Sequence, residues 1–399
     1  MIKVCADKTL GIWQGYGGAF TEATAYNFSK LSNEKQTRLL DAYFGNGGTG
    51  YTWGRVSIGS NDFCLEPFEY IDPENPEEFS IEHDEKYVIP MIWKAQAYAD
   101  LTLVASPWSP PSFMKNNKRL QDGGKLMRRY YRLFAEYLNR WVDEYARNEI
   151  RINYLTPQNE PMAKQIWESC KFSLRAQKKF TYKYLTRELD DTKILMWDHN
   201  KSKIAQVADK LLKRAPKDVA GLAFHWYDGT FEDELYEAHK KYPNHVLVSS
   251  EMCCGFSEYD AEEWKKDAAL YANEILNDIN SGASAWIDWN MLLDYSGGPT
   301  YCDNNVKSPI ILNKRGDDFI LTPIYKTVRE IAQAIPAGSK IIRLENDYND
   351  LAAAAKIDGN GIEVLVANLS PEEKDYVIEY NGRHFGGNIK GYGFTKIDL

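Results

Sequence analysis

Leu155-Thr156-Pro157-Gln158-Asn159-Glu160-Pro161 closes an apolar run that begins at Ile152. A proline cannot extend a parallel ladder, and it biases the residue before it away from helix. The stretch therefore reads as a strand that stops abruptly, with Glu160 standing at its carboxyl end. A second apolar run, Val246-Leu247-Val248-Ser249-Ser250-Glu251, stops in the same way at Glu251. One carboxylate at a strand end proves little. With two, the reading of the fold turns on whether they face each other.

Outward from these two, the chain offers six more candidate strands: Gly15–Phe20, Trp53–Gly59, Thr102–Trp108, Lys193–His199, Gly221–Tyr227 and Ala283–Asn290. Most are short and almost continuously apolar, as parallel strands buried on both faces must be. Helical patterns lie between them. The clearest spans about Leu126–Ala146, where Tyr130, Leu133, Phe134, Tyr137, Leu138, Trp141, Val142 and Tyr145 recur at one-face spacing. Ser32 is placed to cap a helix that ends near Gly45. Further helices are expected over Lys86–Ala99, Ser173–Leu189, Ile204–Arg214, Ala261–Asn280 and Pro323–Ala334. Eight strands alternating with helices predict an α/β fold, a (β/α)8 barrel over residues 13–334. A doubly wound sheet is disfavoured by the count of eight and by the lack of a GxGxxG turn.

The texture changes after Ile335-Pro336-Ala337-Gly338. Short strand-like runs follow, at Lys340–Leu344, Leu351–Ile357, Ile362–Asn368, Tyr376–Tyr380 and Phe394–Ile397, separated by turn residues such as Asn381-Gly382. They predict a small antiparallel β domain of residues 335–399, completed by a strand from residues 1–12.

Composition excludes several classes of function. A net charge of −9 argues against nucleic acid and anionic membrane as partners. No apolar run reaches the roughly 18–20 residues of a membrane helix. The amino terminus, with Lys3, Asp7 and Lys8, lacks the apolar core of a signal peptide; the expectation is a cytoplasmic chain, or one whose leader was removed. The six cysteines have neither CxxC pairs nor zinc-like spacing and read as reduced thiols.

In such a barrel all strand carboxyl ends gather at one face, where active sites sit. This sequence places Arg55 and Asp62 there from strand 2, Trp108 from strand 3, and Asn159-Glu160 from strand 4. Strand 5 adds Asp198-His199, strand 6 His225-Trp226-Tyr227, strand 7 Glu251, and strand 8 Asp288-Trp289-Asn290. Strands 4 and 7 lie across the ring, so Glu160 and Glu251 face each other. Two facing carboxyls are what glycoside hydrolysis needs, one as protonated acid and one as ionised carboxylate. Trp faces suit the apolar side of a sugar, while Asp62, Asn159, His225 and Asn290 suit its hydroxyls. Each residue alone is more often structural: a Glu before Pro, a core Trp, a satisfied His, an Asp capping a turn. Their recurrence at one end of successive strands shifts the balance, because a packed core would want none of them. Two other readings use the same residues. Glu160, Asp198 and Glu251 could hold Mg²⁺ in an enolase-like barrel, and a silent barrel could bind carbohydrate without cleaving it.

Gly15-Tyr16-Gly17-Gly18-Ala19-Phe20-Thr21-Glu22-Ala23, Ser106-Pro107-Trp108-Ser109-Pro110-Pro111, Gln158-Asn159-Glu160-Pro161, His225-Trp226-Tyr227 and Ser250-Glu251-Met252-Cys253-Cys254-Gly255 resemble the signature blocks of glycoside hydrolase family 30. Gly297-Gly298-Pro299 with Ser308-Pro309-Ile310-Ile311 is similar to its glucosylceramidase-type branch. The resemblance implies a retaining enzyme without cofactor, with Glu160 as acid/base and Glu251 as nucleophile. It implies substrate contacts from Asp62, Trp108, Asn159, His225, Tyr227 and Trp289, and also from Arg55 and Asn304. The expected substrate is a β-glucoside or glycoconjugate; an endo-β-1,6-glucanase, a β-xylosidase or a β-fucosidase is the alternative. A side β-sandwich is implied as well. The charge on Glu251 is expected to raise the pKa of Glu160.

Overall fold

The computed structural model describes residues 1–72, 75 and 77–399. Eight parallel strands close a barrel in chain order: Gly15–Ala19, Trp53–Ile58, Thr102–Pro107, Tyr154–Leu155, Lys193–Asn200, Val219–His225, Val246–Glu251 and Ala285–Asp288. The last strand pairs with the first, Gly15 opposite Ala285. Inside the ring, Trp53, Val104, Leu195, Ala223, Val248, Ala285 and Ile287 form a packed plug. A larger apolar cluster fills the space between strands and outer helices. The barrel is thus solid, and its polar chemistry is confined to the strand ends.

The fourth strand is much shorter than the expected Ile152–Glu160. Ladder pairing covers only Tyr154–Leu155, because Pro157 has no N–H to give. The following turn is nevertheless pinned on both sides. Thr156 N donates to Ala105 O at 2.8 Å, Asn159 N to Pro107 O at 2.8 Å, and Glu160 N to Asp198 O at 2.9 Å. Glu160 itself has φ 42°, against the extended bias expected before Pro161. A left-handed non-glycine residue costs on the order of 1–3 kcal/mol and persists only where its surroundings hold it.

The helix Asn33–Phe44 is capped by Ser32, whose side chain accepts from Lys35 N. The long amphipathic helix runs Tyr131–Arg147 and buries Phe134, Tyr137, Leu138, Trp141 and Tyr145. It starts later than Leu126, which pairs in a bridge with Lys115, and Leu133 lies off the stripe at 37% exposure. Two further helices, Glu22–Ser29 and Glu232–Lys241, escaped the sequence reading. The second buries only Leu235 and Ala238, too sparse a pattern to show a period. A three-stranded sheet, Leu292–Leu293, Ile310–Leu312 and Phe319–Leu321, follows the last barrel strand; its strands are too short for alternation to reveal.

The side domain is a single seven-stranded sheet rather than two separate ones. Ile2–Ile12 lies in its middle, between Lys340–Asn346 and Lys374–Tyr380. Tyr376, Ile378 and Ile389 from one end share a core with Leu351, Ala353, Ile362 and Val364, so the sheet rolls over its own apolar face. The opposite face, Ile341, Ala352, Ala354, Leu365 and Ala367, joins the barrel's core. Alanines there let the helix Trp264–Asn280 approach closely. Among the described residues no helix is long and apolar enough to cross a membrane.

Candidate active site

The strand ends converge on Arg55. Its side chain has no exposed surface and lies beneath the carboxylates rather than beside a sugar. Nη1 donates to Glu251 Oε2, Nη2 to Asn159 Oδ1 and Asp198 Oδ2 at 2.9 Å each, and Nε to Ser106 Oγ at 3.3 Å. Four of its five N–H donors are spent on the protein and none of the side chain is exposed, so the expected substrate contact from Arg55 is replaced by a positioning role. The guanidinium also lies 4.7 Å from the centroid of the Trp108 ring, a cation–π contact.

Glu251 is held on both oxygens, since Tyr227 Oη donates to Oε1 at 2.8 Å. The Tyr227 ring is 40% exposed while its hydroxyl reaches inward, and Cys253 Sγ lies 3.3 Å from that hydroxyl. Glu160 faces His225, whose Nδ1 is 3.3 Å from Glu160 Oε1 and 3.8 Å from Glu251 Oε1. The two glutamates therefore meet at one nitrogen. Their Oε1 atoms can be no farther apart than these two distances together, which admits the roughly 5–5.5 Å separation of a retaining pair.

The charges around that nitrogen run opposite to one expectation. Burial pushes Glu160 up, but His199 and His225 outweigh it and hold the carboxyl well below the usual range. The expected rise caused by Glu251 is overturned. Arg55 and Tyr227 compensate Glu251, whereas two imidazoles face Glu160. Burial pulls His225 down, yet Glu251, Asp198 and Glu160 together lift it to about 10. Asp198 is fully buried and accepts from Ser250 Oγ at 2.7 Å, Thr156 Oγ1 at 2.7 Å and Ser106 Oγ at 2.9 Å. Burial raises it, and Arg55 with His225 drives it well below its ordinary value. An ionised Asp198 only accepts, so His225 Nε2, 3.1 Å away, carries a proton and donates.

Trp108 and Trp289 stack on each other at 5.1 Å and are 2% and 3% exposed, presenting an edge rather than two open faces. Asp62 and Asn304 are brought together, Asn304 Nδ2 donating to Asp62 Oδ2 at 2.8 Å. Burial, opposed by Asn304 and helped by Glu251, pushes Asp62 up to about 8. Asn159 Nδ2 donates to no protein group among the described residues, which leaves it available to a ligand. Asn290 departs from expectation: it is fully buried, takes a bond from Thr21 Oγ1 at 2.6 Å and does not reach the opening. The enolase-like reading also loses its geometry, because the Arg55 guanidinium sits between Asp198 and Glu251 where a cation would have to be.

Residues 13–335 match the model of the glycosyl hydrolase family 30 TIM-barrel domain. The chain belongs to glycoside hydrolase family 30. It is 32% identical over 394 residues to lysosomal acid glucosylceramidase of Mus musculus, covering 92% of this chain and 76% of that protein. It is 24% identical over 403 residues to an endo-1,6-beta-D-glucanase of Neurospora crassa, covering 92% of this chain and 80% of that one. Among solved structures, SrfJ from Salmonella typhimurium superposes with a TM-score of 0.91 at 28% identity, over 99% of this chain and 92% of that one.

As a family 30 glycoside hydrolase, the chain acts on carbohydrate. The roles of the Ser106, Thr156 and Ser250 hydroxyls were not expected from the sequence, and Asp198, expected at this face and as a ligand in the metal alternative, instead anchors Arg55 and His225. Their signal was present: each is a polar residue one to four positions before a strand-end group, on a run otherwise apolar.

Proposed function

We propose that this family 30 enzyme hydrolyses a β-glucoside with retention, Glu251 attacking the anomeric carbon and Glu160 serving the leaving group. The observation that carries the assignment is the unequal holding of the two glutamates. Glu251 is clamped by Arg55 and Tyr227, the environment of a carboxylate that must stay ionised and aimed. Glu160 lies against His225, which supplies a proton instead. With Nε2–H committed to Asp198, the Nδ1 proton is either on His225 or on Glu160. Those two states differ by one short transfer. In the second, Glu160 is the general acid and His225 a neutral acceptor behind it.

In the first chemical step Glu160 gives that proton to the glycosidic oxygen as Glu251 forms its bond to carbon. Glycosylation removes the charge of Glu251. Glu160, then ionised, takes a proton from the water that cleaves the intermediate. In this reading Asp62, Asn304 and Asn159 bind hydroxyls, with the Trp108–Trp289 edge along the ring. The glucosylceramidase relatives favour a β-glucoside; endo-β-1,6-glucan is the second reading, supported by the glucanase relative. The purified enzyme, tested on β-glucosides, β-xylosides, β-fucosides and β-1,6-glucan, should turn over the glucoside fastest. Glu160→Ala should retain glycosylation by an activated phenyl glucoside and be rescued by azide to give the β-glucosyl azide. An α-azide, or no rescue, overturns the roles.

A further inference from the structure

Beside the catalytic centre, on the same barrel face, lies a cavity of 570 Å³ with an unusual rim. Lys125, Arg128, Lys171, Arg175 and Lys179 line it, and no Asp or Glu does. Several exposed cations elsewhere in the chain do have carboxylate partners, as in Arg132–Glu136, Lys241–Asp209 and Lys266–Glu263. None of the five has a carboxylate partner among the described residues. Gathering five uncompensated cations in a chain of net charge −9 works against their mutual repulsion. A merely solvated basic face would need neither a concavity nor an apolar floor. This one has both, the floor being the buried Leu126, Tyr131 and Phe172.

The cavity is also tied to the chemistry. Pro161 and Met162, the two residues after Glu160, form one wall. Phe172 N donates to Pro161 O at 2.7 Å, joining the basic segment to the turn that carries the acid. A general acid gives its proton to the departing oxygen, so the leaving group lies on the Glu160 side. We propose that this cavity is the leaving-group subsite and that it takes an aglycone bearing a phosphate, sulfate or carboxylate. Its ring or chain lies on the Leu126–Tyr131–Phe172 floor and its anion meets the cationic rim. This rests on Glu160 being the acid.

The test compares two aryl β-glucosides whose phenols have matched acidity, one neutral and one carrying a phosphonate on an arm beyond the ring. The phosphonate substrate should show a kcat/KM about tenfold higher at low salt, the order expected for a few partly solvated ion pairs, and should lose that advantage in high salt. Lys171→Gln/Arg175→Gln should abolish the preference and leave the neutral glucoside's kcat/KM unchanged, which also reports that the variant is folded. Equal kcat/KM for the two substrates in the parent enzyme, or a preference that survives in the double variant, overturns the proposal. Calorimetric binding of the free phosphonate-bearing phenol separates this subsite from the catalytic assignment. If neither glucoside is cleaved but the phenol binds the parent and not the double variant, the glucosidase reading fails and the anion subsite stands. Sedimentation with phosphatidylserine vesicles, lost in the double variant while the phenol does not bind, would assign the rim to a membrane surface and overturn the aglycone reading.

Discussion

A carboxylate that attacks carbon must be ionised and must not swing away, and a carboxyl that gives a proton must be able to regain one. At residue scale the difference between Glu251 and Glu160 comes from their neighbours alone. His225 is the distinguishing neighbour. Raised from 6.5 to about 10 by Glu251, Asp198 and Glu160, it keeps the shared proton in the network well above the pH at which a free imidazole would lose it. The basic limb of kcat/KM should therefore lie above pH 6.5. His225→Asn cannot store a proton, so its basic limb should move toward acid, with kcat reduced about 10²-fold, the scale of one acid–base contribution. An unmoved limb in the variant would mean that the proton never visits His225. Asp62 makes a second test. Asp62→Ala leaves Asn304 Nδ2 unpaired and removes a hydroxyl partner, a loss of about 1–3 kcal/mol that appears as a tenfold to hundredfold fall in kcat/KM. The melting temperature should change little, since Thr300 bonds the Asp62 backbone oxygen and not its side chain. Lowered stability with kcat/KM intact would make Asp62 a turn residue only.

At the scale of elements, the site depends on neighbouring strands keeping their separation. Gly221 is the third residue of the strand that ends in His225, and a Cβ there would meet Val246 O at 1.8 Å, at the start of the strand that ends in Glu251. Gly221→Ala must part these strands. It should destabilise the fold by about 1–3 kcal/mol and reduce kcat more than glycosyl binding, measured by urea unfolding beside steady-state kinetics. Unchanged stability would show the strands to be more pliable than their close approach implies. These strands were legible because they are short, apolar on both faces and stopped by polar residues. The helix Pro323–Ala334 was legible to the residue, with Thr322 capping and proline in its first turn. What escaped had no periodic signal: the sparse helix Glu232–Lys241, the strands of two or three residues after Asn290, and the edge strand Arg383–Ile389 with its paired glycines. The site was legible as a set of residue types at strand ends. Who bonds whom was not, because Arg55 reaches groups from four other strands and no spacing encodes that.

For the whole molecule, the side sheet and the barrel share both backbone bonds and core. Trp13 N donates to Ser339 O and Gly338 N to Trp13 O, each at 2.8 Å, at the junction between them. Asn280 closes the helix Trp264–Asn280 by pairing with Leu344 through N–H to Oδ1 at 2.7 Å and Nδ2 to O at 3.1 Å. With the alanine face of the sheet inside the barrel's core, the two parts should unfold together. Calorimetry should record one transition, and two well-separated transitions would show the sheet to be an independent appendage. The proposed function requires that one oxygen of Glu251 attack the anomeric carbon. The most direct test of that claim is to incubate the enzyme with 2-deoxy-2-fluoro-β-glucosyl fluoride, which slows both steps but leaves through an easy departing group, and to map the product by mass spectrometry. The account predicts one fluoroglucosyl adduct per chain, located on Glu251 and accompanied by loss of activity. An adduct on any other residue, or turnover of a β-glucoside to the α-anomer with no adduct at all, would contradict it.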